Sequence, residues 1–178
     1  MRRLVLAMAM ATGGLIAGEL VVGAAPDGAG PNWTWLIVTE GPAAPDEREA
    51  LVRALRLLPA LPARVAVLDA EQARPDVKPT LLRLDAFVIR GRAEVYVVRQ
   101  SGLLKCAMRR APLCTHALAA VIWHELAHIE GADEREARRR EEAQWTAFIR
   151  DQQVDAGAAL RFLNALVNRP DDYLLGLR

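Results

Sequence analysis

The chain has 178 residues and a formal net charge of +1. That length suits one domain with a sizeable core. The near-neutral balance excludes the strong basic excess a nucleic-acid-binding protein uses to neutralise phosphates.

The start, "MRRLVLAMAMATGGLIAGELVVGAA", has a positive n-region, an uncharged apolar run and then small residues. This is the layout of a secretory signal peptide, with Val22 and Ala24 at the key small positions and cleavage after Ala24. Residues 4–18 are short for a span of roughly 20 apolar residues; an uncleaved membrane anchor is the alternative, a buried first helix another. The expected organisation is therefore a leader over 1–24 and a single domain over 25–178, exported to the periplasm or medium. Cys106 and Cys114 can pair in an oxidising compartment, or stay as free buried thiols. Asn32-Trp33-Thr34 is a glycosylation sequon only in a eukaryotic secretory pathway.

In chain order, "APDGAGPN" is a loose leader and "WTWLIVTEG" a strand ended by Gly41-Pro42. From Asp46 the apolar residues Ala50, Leu51, Ala54, Leu55 and Leu58 recur at helical spacing, until Pro59 and Pro62. "RVAVLD" is a short buried strand, and "EQARPDVKPTLLRL" is irregular or partly helical. "DAFVIRG" and "AEVYVVRQ" form a hairpin about a glycine turn, and "SGLLKCAMRRAPLC" is a loop. Helices are expected over Thr115–Glu130, Asp133 to about Gln153, and Val154 to about Asn168. Strands first and helices after make an α+β pattern.

The helix from Thr115 carries the chemistry. Leu118, Ile122, Leu126 and Ile129 form one apolar stripe. His124 and His128 lie one turn apart on another side, so both imidazoles aim at one point, as two metal ligands on one helix do. Glu125 sits on their shoulder, where it reaches a metal-bound water and can act as general base. Ala117, Ala120 and Val121 flank the histidines, so this is a covered or cleft-lining face rather than a solvated one. Gly131 can end the helix in the left-handed conformation, and Asp133 with Glu136 makes a capping-box-like start to the next. The returning helix then offers a carboxylate as third ligand.

"HELAHIEGADE" resembles the zinc signature of the zincin metallopeptidases. Gly131 and Glu134 fall where the metzincin branch has its turn glycine and third ligand, but no methionine follows the motif. Glu134-Arg135-Glu136-Ala137 is similar to the pattern of the gluzincin branch, with Arg138 where several of its groups carry an acidic or amide residue. The resemblance implies a small gluzincin-like fold: an N-terminal sheet with helices packed on it, the active-site helix, then two helices. It implies Zn²⁺ on His124, His128 and Glu134, with Glu141 the competing third ligand, Glu125 as base, and a peptide or protein substrate. It also implies an edge strand that pairs with extended substrate, for which "AEVYVVRQ" is similar in position. The competing function is an exported, metal-binding but non-hydrolytic envelope protein. Tyr96, His116 or an arginine are the candidates for an oxyanion partner. His116 reads as a surface histidine near the helix start. Trp145, Phe148 and Ile149 read as core.

Overall fold

A computed structural model describes residues 37–39 and 44–168. The leader over 1–24, the anchor reading of residues 4–18 and the sequon lie outside them. No helix among the described residues is long and apolar enough to cross a membrane.

The elements are β1 (Ile37–Thr39), α1 (Pro45–Leu55), β2 (Arg64–Leu68), a 3-10 turn (Ala70–Gln72), α2 (Lys78–Leu81), β3 (Ala86–Val88), β4 (Glu94–Val98), α3 (Gly102–Met108), α4 (Pro112–Ile129), α5 (Glu134–Arg150) and α6 (Ala156–Asn168). The fold is mixed α+β, around a four-stranded sheet in the order β1-β2-β4-β3. β1 runs parallel to β2 and β2 to β4, while β3 pairs antiparallel with β4. The β3–β4 hairpin is the expected one, with Gly91 at φ +84° in its turn.

Period-two alternation decides which strand residues meet the helices. Val65, Val67, Val95 and Val97 face α1, α3 and α4 in the main core; Tyr96, Val98 and Phe87 face the other way, under Ala70, Leu81 and their neighbours. Tyr96 stacks on Phe87 with ring centroids 5.2 Å apart. It donates to Glu94 Oε2 at 2.6 Å and accepts from Arg92 at 3.0 Å, and burial pushes its hydroxyl pKa up. That orientation corrects the expectation for Tyr96: it lies on the sheet face away from α4, so it is no oxyanion partner there.

The edge-strand expectation is also corrected. "AEVYVVRQ" becomes β4, which lies inside the sheet with β2 on one side and β3 on the other. The backbone groups of an interior strand are spent on two neighbours. Among the described strands the edges are β1 and β3.

The expected loop after β4 is instead largely the helix α3. The Ser101 hydroxyl accepts from the Leu103 and Leu104 N–H groups at 3.1 Å each and donates to Asp85 at 2.6 Å, so it caps the helix and ties it to the start of β3. Leu103, Leu104, Cys106 and Ala107 are buried, and this burial stabilises a helix too short to persist alone. Pro112 opens α4 at its first position, three residues before the expected start, where the missing N–H costs nothing.

Cys106 and Cys114 form a disulfide, with Cα atoms 5.7 Å apart, joining α3 to the first turn of α4. In the chain-entropy picture a loop this small is worth about 2–3 kcal/mol. Urea unfolding with and without reductant is expected to differ by that amount; equal midpoints would show that the bond adds nothing.

α4 is buried nearly all round, packed on α5, α3, α1 and the strands β3 and β4. Leu118 and Ile122 are fully buried, which is worth about 1.5–3 kcal/mol each relative to exposure. Trp145 and Phe148 of α5 are core residues as expected, and Phe162 of α6 closes on Trp145 at 5.3 Å.

Candidate metal centre

α4 and α5 form a hairpin, and the site lies between them next to the turn. The turn is a Schellman motif. The Gly131 N–H donates to His128 O at 3.1 Å, the Ala132 N–H donates to Ala127 O at 2.9 Å, and Gly131 takes φ +93°. A Cβ at Gly131 would meet nothing within 4 Å, so the restriction is conformational, not spatial. Gly131→Ala is expected to cost about 1–2 kcal/mol, the penalty of the left-handed region for an L-residue. Urea unfolding checks this, and an unchanged midpoint would contradict it. Asp133 then caps α5, its Oδ1 accepting from the Glu136 N–H at 2.8 Å. The other half of the expected capping box is diverted. Arg139 and then Arg140 hydrogen-bond the Glu136 carboxylate and hold its pKa down at about 2.

This turn also sets the second histidine. Ala132, placed by Gly131, presents its carbonyl 3.0 Å from Nδ1 of His128. A carbonyl can only accept, so Nδ1 carries a hydrogen, and in the neutral ring Nε2 presents its lone pair. That lone pair points at His124, the two Nε2 atoms being 3.2 Å apart. His124 is fully buried. Its far nitrogen, Nδ1, has Glu141 Oε2 at 3.0 Å, a close charge contact that lies out of line with the ring N–H.

Glu134, in the first turn of α5, completes the group. Its Oε2 is 3.4 Å from His128 Nε2 and 3.7 Å from His124 Nε2, and this buried oxygen has no hydrogen-bond partner. His124, His128 and Glu134 are thus a group able to hold a metal ion. Of the two carboxylates the sequence sets in competition, Glu134 faces both Nε2 atoms and Glu141 faces the back of one ring. Ala137, fully buried between them on α5, leaves room for both. Glu125 is 6% exposed on α4.

His116 corrects the surface expectation. It is buried, its Nδ1 is 2.8 Å from Pro112 O, and its ring meets Phe148 edge-on at 4.8 Å. It is part of the α4–α5 core, two turns from His124.

Two contributors escape a reading by motif. The Ala132 carbonyl is a backbone group with no side-chain signature, and only the preceding glycine points to it. Arg138 stands out in the sequence just as a departure from a pattern, yet its Nε donates to Glu134 Oε1 at 2.7 Å.

No protein-family model, no curated protein and no solved structure matches this chain.

Proposed function

We propose that this chain is a small zinc-dependent peptidase of zincin type. One observation carries the reading: two imidazole nitrogens and a carboxylate oxygen converge, with separations of 3.2, 3.4 and 3.7 Å. Ligand atoms at corners of a tetrahedron around zinc, at bond lengths of 2.0–2.2 Å, stand about 3.3–3.6 Å apart. The buried, unpartnered Glu134 Oε2 fits the same reading. Two imidazoles and a carboxylate are a donor set that suits zinc.

His124, His128 and Glu134 are the residues that would hold the ion. When bound, zinc there supplies Lewis acidity toward a carbonyl and lowers the pKa of water at its open position. The chain's own residues do the rest. Ala132 O fixes the His128 tautomer, and the Glu141 carboxylate stands behind the His124 ring, 3.0 Å from its Nδ1. Glu125 takes the proton of the attacking water and delivers it to the leaving amine. The Glu134 side chain is 34% exposed, while its Oε2 and the His124 ring are buried. The edge strand β3 packs against α4 and is the place for an extended peptide to add by backbone pairing. We place the protein outside the cytoplasm, with the Cys106–Cys114 disulfide as support.

A second reading, a metal-binding but non-hydrolytic envelope protein, is favoured by the positions of Tyr96 and His116. Neither stands free to stabilise an oxyanion: Tyr96 is across the sheet, and His116 is packed in the core. Zinc content and casein cleavage, with and without chelator, separate the two. The peptidase reading expects stoichiometric zinc, and cleavage that a chelator stops and zinc restores. Zinc without cleavage would favour the second reading, and protein that retains no zinc would remove both.

A further inference from the structure

Glu134 divides its two oxygens between different tasks. Oε2 is buried, unpartnered and turned to the two imidazoles. Oε1 accepts from Arg138 Nε at 2.7 Å. An acid followed four residues later by a base on a helix surface is common and stabilises little. A pair of that kind, however, leaves the far oxygen in water. Here the far oxygen is covered and aimed, which an ordinary surface pair does not require.

We propose that Arg138 is a positioning residue for the metal centre, holding Glu134 to one-oxygen ligation. This rests on the zinc reading above. The physical argument is geometric. A glutamate side chain has several rotatable bonds, and freezing them costs conformational entropy when the ligand is recruited. A guanidinium is a rigid planar donor, and a charge-assisted hydrogen bond to Oε1 fixes the plane of the carboxylate before any ion arrives. With Oε1 occupied, only Oε2 is offered to the site. A fourth position on a bound ion would then stay open for water and substrate instead of being taken by the second oxygen of the same carboxylate. The neighbouring Arg135 provides the control. It is exposed on the same helix beside Glu134, carries the same charge, and makes no hydrogen bond or ion pair to Glu134.

The experiment uses the full chain as parent, Arg138→Ala, Arg135→Ala and His124→Ala. Zinc affinity is measured by competition with a chromophoric chelator, and folding is checked by circular dichroism. The cobalt-substituted proteins are compared by visible absorption. Arg138→Ala is expected to raise the zinc Kd about tenfold, the low end for loss of a partner that orients a ligand. Its cobalt absorption should weaken, because the freed carboxylate adds its second oxygen and a five-coordinate ion absorbs less than a four-coordinate one. Arg135→Ala, which removes only a charge, should leave both readouts near the parent's. The proposal is overturned by a parent-like Kd or cobalt spectrum in Arg138→Ala, or by equal shifts in the two arginine variants. A parent that binds no zinc, or a His124→Ala variant that binds it as well as the parent, would instead bring down the metal reading itself.

Discussion

Glu125→Gln is expected to retain zinc at parental affinity and to lose peptide hydrolysis by about 10²–10⁴-fold, the usual share of a positioned general base. The substitution keeps the volume of the side chain and its capacity to hydrogen-bond. It removes only the ability to accept a proton. Glu125 is on α4, immediately after His124, and is buried. The effect should fall on kcat rather than KM, since a proton acceptor acts in the transition state more than in binding. His124→Ala should lose zinc and turnover together. Near-parental turnover in Glu125→Gln, on any peptide the parent cleaves, would mean that this carboxylate is not the base. Equal loss of zinc in both variants would make Glu125 part of the metal's support instead.

Most elements could be read from the sequence because their apolar spacing is strong and local. α1, β2, the β3–β4 hairpin and α5 lie close to where periodicity and turn residues put them. α3 was not legible, because its stability comes from burial of Leu103 and Leu104 against distant residues rather than from a long periodic stripe. Ser101 was the available signal, a cap residue standing before an apolar run. The order of the strands was not legible either. Nothing local tells "AEVYVVRQ" that β2 will pair along its far side, although Arg64 and Glu94, opposite one another in that register and 2.9 Å apart, bias the pairing once it begins. At the site the side chains came from a motif, and what surrounds them came from the hairpin. His116 was misread as a surface residue because its burial depends on Phe148, a residue of the returning helix. Which carboxylate faces which nitrogen likewise depends on how far α5 slides along α4, a quantity that neither helix sets alone.

That slide underlies the final expectation, in which two glutamates of one helix have different effects. Glu134 and Glu141 are both on the inner stripe of α5, with Ala137 between. Glu134 Oε2 stands 3.4 and 3.7 Å from the two Nε2 atoms, whereas Glu141 Oε2 stands 3.0 Å from Nδ1 of His124. A nitrogen and its ring partner cannot both face one ion, so an oxygen at Nδ1 is behind the ring with respect to a metal at Nε2. Glu134→Ala removes a direct ligand and should weaken zinc binding by more than about 100-fold, beyond the range of indirect partners. Glu141→Gln keeps a polar group at Nδ1 and should cost about 10-fold in zinc affinity, at the low end of the 10–100-fold range for such partners. Glu141→Ala should cost more, because it also removes the polar group that stands 3.0 Å from the buried His124 Nδ1. Chelator competition on the three variants measures the order directly. Parental zinc affinity in Glu134→Ala beside lost affinity in Glu141→Ala would exchange the two roles. Glu141 would then be the ligand, and Glu134 only the capped, arginine-paired start of a helix.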